Sequence, residues 1–108
     1  MKRAMRFNKG KPKYSLMDLD SFEPMVRVLE FGSIKYERDN WKRGMPVTEI
    51  LDSTLRHIAA ISRGEDIDPE SGILHVGHLQ CNAMFLAHTL KNHPEWDDRA
   101  TKVKLKGI

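Results

Sequence analysis

Residues 70–91 carry the strongest helical periodicity in this chain, and it is apolar over only half its length. Positions three and four apart on one face read His75, His78, Asn82, Phe85 and Thr89, with Leu79 and Leu86 beside them. A buried polar group left without a partner costs ~1–3 kcal/mol. The amino-terminal half of this stripe therefore faces a wet hollow or holds something, while Leu74 and Val76 embed the neighbouring faces.

A second helix is predicted over about 48–63, capped by Thr48 and ended by Gly64, with Ile50, Leu51, Leu55, Ile58 and Ile61 as its apolar stripe. His57 falls within that stripe. The short acidic stretch "EDIDPESG" between the two helices enforces antiparallel packing. His57 and Arg56 then approach His75 and His78, and Glu65, Asp66, Asp68 and Glu70 crowd the rim. A first helix is predicted from Ser21, as its cap, with Pro24 in its first turn and Met25, Val28, Leu29 and Gly32 repeating, running on through "FGSIKYER". Gly32 either weakens it or allows close helix contact. "DNWKRGMP" reads as a loop. His88 and His93 read as surface or helix-end residues.

No stretch alternates cleanly enough to be a core strand, so the expected class is all-α: a small bundle of three main helices in one domain spanning 1–108. Residues 1–14 form a basic amino-terminal segment, 15–92 the helical core and 93–108 a tail that is a short strand or free. Three short helices bury limited surface, so self-association into a dimer or tetramer is expected to complete the core.

At 108 residues, with 40% hydrophobic and 31% charged residues, the chain is long enough for a modest core. No apolar run reaches the roughly 18–20 residues of a membrane span, and no signal peptide is visible. The single cysteine, Cys81, reads as a small buried hydrophobe in a reducing, cytoplasmic setting. Net charge is +3, too small to argue for DNA binding, and a nucleic-acid partner is not expected. The basic residues cluster instead. "MKRAMRFNKGKPKYS" holds Lys2, Arg3, Arg6, Lys9, Lys11 and Lys13 without an acid, and "RATKVKLKGI" is similar. Such segments are solvated, or they draw in a polyanion.

The polar set supports two kinds of chemistry. His75 and His78, at i and i+3, can hold a metal from one helix face; two imidazoles with one carboxylate suit Zn²⁺, Mn²⁺, Fe²⁺ or Co²⁺ better than Mg²⁺. The pattern is not HExxH, and no His-Asp dipeptide, glycine-rich phosphate loop or G-x-S-x-G is present. Without a metal, the same residues serve as base, donor and purine-edge partner. Asn82 can pair with an amide-bearing ring edge; Arg56, Lys35, Lys42 and Arg43 can meet phosphates; Tyr36 and Trp41 offer stacking surfaces. An aromatic, basic loop is also a common way to close a helix contact.

Two stretches, "KPKYSLMDLDSFEPMVRVLEFGSIKYERDNWKRG" and "DSTLRHIAAISRGEDIDPESGILHVGHLQCNAMFL", resemble a small family common in phages, the dATP/dGTP diphosphohydrolase N-terminal domain family. The likeness covers roughly residues 10–90 and rests on the signatures "FG..KY...NW..G" and "D...RH......GED.DPESG..H..H...N". That family in turn resembles the all-α, MazG-like nucleoside triphosphate pyrophosphohydrolases, which cleave a dNTP to dNMP and pyrophosphate. In those, EExxE and ExxD helices hold Mg²⁺, which activates water for attack on the α-phosphorus. Laid over the first motif, Asp52, Ser53 and Arg56 take the acid positions; over the second, His75 and His78 do.

The resemblance implies a purine dNTP pyrophosphohydrolase with a divalent metal, Mg²⁺ or Mn²⁺ and possibly Zn²⁺. Asp52, His57, His75 and His78 are the implied metal ligands. Asp52, Glu65, Asp68 and Glu70 are the implied catalytic carboxylates. Lys35, Tyr36, Asn40, Trp41, Arg56 and Asn82 would bind the nucleotide, with Arg56 and Lys35 on phosphates. Three alternatives stay open for the metal: a histidine-compatible ion with Asp52, oxygens from the rim acids, or loss of catalysis. The last makes the chain a nucleotide or cyclic-nucleotide binder, as in a phage counter-defence sponge.

Overall fold

The chain contains three helices, α1 (Glu23–Lys35), α2 (Val47–Ser62) and α3 (His75–Asn92), in a computed structural model that describes residues 2–100. Helix α3 is the centre: it packs against both others, while α1 and α2 scarcely meet. A gap is thus left between α1 and α2, floored by α3. No strand is present among the described residues; one isolated antiparallel bridge joins Ile67 to Leu74.

The helix starts differ from expectation, each for a local reason. Ser21 does not cap α1. Its hydroxyl donates to Asp18, and residues Leu19–Phe22 form a 3₁₀ turn that runs straight into the helix. Pro24 sits in the first turn as predicted, and Arg27 pairs with Glu23 and Glu30, each at 3.1 Å. Helix α1 stops at Lys35, because Tyr36 turns to extended backbone. Thr48 lies inside α2 rather than capping it. Both its N–H (2.9 Å) and its hydroxyl (2.6 Å) donate to the carboxylate of Asp98, which satisfies a helix-start donor from fifty residues away. These bonds hold the Asp98 carboxyl below the usual carboxylate range. Residues 93–100 are therefore not a free tail; Pro94–Trp96 form a 3₁₀ turn. Residues 101–108, where a tail strand or free end was expected, lie outside the described residues.

The largest difference is at α3, which begins at His75 and not near Pro69. Asp68 accepts the Glu70 N–H (3.3 Å) and the Ser71 hydroxyl (2.9 Å), local bonds that compete with helix formation. The Asp68 N–H donates to Ile73 O (2.9 Å) and the His75 N–H to Asp66 O (2.8 Å), closing residues 66–75 into a tight loop. His75 and His78 consequently occupy the first turn of α3.

The buried apolar side chains are few: Val28, Val47, Ile50, Ala60 and Cys81, with His75, Asn82 and Thr89 buried among them. Of the stripe predicted for α2, Ile50 is buried, but Leu55 and Ile58 are exposed at 61% and 46%. Cys81 donates its S–H to Met25 O, and burial pushes its thiol up to about 12, so it is the inert hydrophobe expected. The close helix contact is made by Gly77, not Gly32: a Cβ on Gly77 would lie 2.6 Å from Pro24 O, whereas one on Gly32 would meet open space.

Candidate functional site

The gap between α1 and α2 is an open cavity of about 1280 Å³. Its lining includes His57, His75, His78, Arg56, Glu65, Asp68 and Glu70 together with Lys35, Tyr36, Asn40 and Trp41. Residues from four separate segments of the chain thus converge as the helical hairpin implied. Of the residues expected there, Asp52, Asn82, Asp66 and Lys42 do not join them. Asp52 is exposed and outside the lining, because five positions along α2 separate it from His57 and turn it to another face. Asn82 is buried and also outside, its amide donating to Ser53 Oγ (3.2 Å); it positions a lining residue and does not face a ligand.

The three imidazoles are in mutual contact. His57 lies parallel over His78, centroids 4.5 Å apart, and its Nδ1 is 2.7 Å from Nδ1 of His75. His75 Nε2 lies 2.8 Å from Glu65 Oε2. A carboxylate only accepts, so His75 carries its proton on Nε2 and offers Nδ1 as a lone pair. The short Nδ1–Nδ1 contact then requires His57 to donate from Nδ1, which leaves His57 Nε2 as a lone pair. That atom makes no hydrogen bond among the described residues. The order Glu65–His75–His57 therefore presents a basic nitrogen at the cavity wall.

His78 is oriented separately. The Ser71 hydroxyl donates to Asp68 and accepts from His78 Nε2 at 2.8 Å, while Asp68 Oδ2 lies 3.3 Å from the same nitrogen. Burial holds both His57 and His78 below the ordinary imidazole range. Repulsion from His78 and His75 adds to the effect on His57, and Asp68 opposes it on His78. Burial raises the Asp68 carboxyl, but hydrogen bonds from Ser71 and the Glu70 N–H outweigh it and hold the group low. Ser71 was not foreseen; its signal was the D-x-x-S spacing from Asp68, which makes an Asx-type turn.

Cations line the mouth. Lys35 lies 3.5 Å from Glu70 and is raised by Tyr36 and by that carboxylate; Arg43 pairs with Glu37 at 2.8 Å. Arg38, Arg56 and Arg63 also line the cavity and make no ion pair among the described residues, so three guanidinium groups remain for an anion. Lys42, predicted to meet phosphate, instead pairs with Asp39 (3.3 Å) and lies outside the lining. Trp41 is held by Phe85 (5.3 Å, stacked) and the edge of His88. His88 and His93 both donate to Lys42 O, at 3.0 and 2.7 Å, so these two histidines tie the tryptophan loop to α3. Gly44 packs on the His93 ring so closely that a Cβ would lie 2.8 Å away.

Among the described residues, no group of three or more His, Cys, Asp or Glu is disposed to hold a metal ion. The geometry explains this. Two nitrogens on one tetrahedral Zn²⁺ stand about 3.3 Å apart, but Nδ1 of His57 and Nδ1 of His75 approach to 2.7 Å and bond each other, and His75 Nε2 is taken by Glu65. The donor set of Asp52 with three histidines does not form a prebuilt metal centre.

The family model described as dATP/dGTP diphosphohydrolase, N-terminal, matches residues 1–99. The chain belongs to that family. A relative from Salmonella phage PMBT28, named dATP/dGTP diphosphohydrolase, is 35% identical over 105 residues, covering 97% of this chain. This chain spans 36% of that relative's length. No solved structure matches. The family match takes in every residue lining the cavity, so the cluster just described belongs to the family domain.

Proposed function

We propose that this family domain binds a purine deoxynucleoside triphosphate in the α1–α2 cavity and takes part in its hydrolysis to dNMP and pyrophosphate. The observation that carries this reading is the unpartnered His57 Nε2 beside three unpaired arginines in one open cavity. A triphosphate needs positive charge along its length and a base for the attacking water, and both lie on this wall.

Arg56 on α2 and Arg63, two turns further on at the residue that ends the helix, face the phosphates with Arg38 and Lys35. Tyr36, Asn40 and the lip of the Trp41 loop face the nucleoside. His57 Nε2 accepts a proton from water as its oxygen bonds to the α-phosphorus. The phosphorus–oxygen bond to the β-phosphate breaks, and its electron pair leaves with pyrophosphate. His75 Nδ1 accepts the Nδ1–H of His57, and Glu65 offsets the imidazolium charge that develops. A divalent metal, Mg²⁺ or Mn²⁺ with Zn²⁺ as a further candidate, belongs to this proposal as an ion carried by the triphosphate; it supplies charge neutralisation. Glu70, at the mouth, is the rim oxygen donor nearest to that role.

Incubation with each dNTP and Mg²⁺ or Mn²⁺, followed by pyrophosphate assay, tests the proposal. Release from dATP and dGTP above dCTP and dTTP is expected; background release from all four would end it. A second reading is sequestration without turnover, favoured by Ser53, Arg56, His75 and His78 standing where the MazG-like motifs carry acids. Calorimetry that recovers intact nucleotide after tight binding would select it. The reading also includes self-association into a dimer or tetramer, supported by the sparse core, and action in the host cytoplasm, supported by the phage relative and by the absence, among the described residues, of a helix long and apolar enough to cross a membrane.

A further inference from the structure

Charge in this chain is divided by segment. Residues 2–17 hold six of the eighteen Lys and Arg and no acid, a charge of +6. Residues 18–100 hold all fifteen Asp and Glu and nine Lys and Arg, a charge of −6. The basic segment does not lie on the acidic body. Every residue from Lys2 to Asp20 is exposed, including Phe7 at 86% and Met5 at 78%. No hydrogen bond or ion pair joins residues 2–17 to the remainder of the described chain. The radius of gyration is 17.3 Å, against about 13 Å for a compact chain of this length.

The arm is therefore basic, apolar and unused within its own chain. The body offers a matching surface. On the side of α2 turned from α3, Asp52 and Glu49 carry unpaired charge beside exposed Leu55 and Ile58. In extended backbone Arg3, Met5 and Phe7 fall on one side, a cation beside two large apolar groups, and Lys9 adds a second cation at the turn that follows. We infer that the amino-terminal arm of one copy docks on the outer face of α2 in a second copy, its cations meeting Asp52 and Glu49 and its Met5 and Phe7 covering Leu55 and Ile58. Opposite charges of equal size on arm and body favour another copy of the same chain, because each arm then meets an acidic partner. This inference goes beyond the nucleotide reading and does not depend on it.

Sedimentation of the whole chain at about 50 mM and about 500 mM salt tests it, because screening at the higher value shortens the reach of charge. Association at low salt that weakens at high salt is expected. The double variant Arg3→Glu/Lys9→Glu and, separately, Asp52→Lys should each weaken association by about tenfold or more. Mixing those two variants should restore it, because the reversed charges then match. Phe7→Ser should weaken it at both salt concentrations. Circular dichroism confirms that each variant is folded, and the mixing arm reads complementarity and not stability. A monomer at every concentration would overturn the inference. So would association indifferent to both arm and α2 variants, or a monomeric protein whose arm instead shifts DNA or RNA.

Discussion

At the scale of single residues, the lone pair on His57 Nε2 is the feature with the most direct consequence. His57→Gln removes the proposed base while keeping a polar side chain, and pyrophosphate release is expected to fall by about 10²–10⁴ with little change in KM. Glu65→Gln should lower kcat by less, since it weakens only the orientation of His75 and the offset of charge. A raised KM with kcat unchanged in His57→Gln would show a binding role instead. The imidazoles also set an acid limit. His57 and His78 are held below the ordinary imidazole value of 6.5 in the folded chain, so the unfolded chain binds protons that the folded one refuses. Their contribution is complete above pH 6.5 and is lost as pH falls through the lower folded values. Thermal melts should therefore show a falling midpoint between about pH 7 and pH 5, and His57→Gln/His78→Gln should flatten that slope. Convergence of the three histidines was legible in the sequence because helical spacing and a short connecting turn place them together. Asn82 and Asp52 were not, because one residue's rotation about a helix axis separates a lining position from a packing one.

At the scale of elements, helix ends and crossings carry the tests. Gly77→Ala places a Cβ 2.6 Å from Pro24 O, a backbone atom that cannot swing away. Separating α1 from α3 should cost roughly 1–3 kcal/mol, read from chemical denaturation. Asp98→Ala removes the acceptor that holds the start of α2 and should lower the thermal midpoint, with Asp98→Asn recovering part of the loss. Thr89 is fully buried, and its hydroxyl has no hydrogen-bond partner among the described residues. Thr89→Val replaces that oxygen with a methyl group of similar size and should stabilise the chain by roughly 1 kcal/mol. The three helices themselves were legible from periodicity. Their starts were not: Asp98 acts on Thr48 from far along the chain, and the Asp68 turn takes the bonds that residues 70–74 would have used for helix.

At the scale of the whole molecule, α3 carries α1 and α2 on either side, and the space between them is the cavity. If a nucleotide fills it, binding is linked to folding: ligand at one hundred times its dissociation constant should stabilise the chain by about 2.7 kcal/mol. A thermal-shift series with dATP, dGTP and their monophosphates reads this directly. Triphosphates should raise the midpoint most, because Arg38, Arg56 and Arg63 await negative charge, and Arg56→Ala should reduce the difference between tri- and monophosphate. Equal shifts for both would place the phosphates elsewhere.

The sequence by itself determined the all-α class, the three helical segments, the family and the pairing of His57 with His75 and His78. Each of these depends on spacing along one chain, which periodicity and motif record. Only the tertiary structure decided which nitrogen of His57 stays free, that Asp52 turns away, that His88 and His93 secure the Trp41 loop, and that Gly77 is the point of helix contact. Those outcomes depend on rotation about helix axes and on contacts between residues fifty or more positions apart, such as Thr48 with Asp98 and Met25 with Cys81. Such distances in space have no counterpart in local spacing.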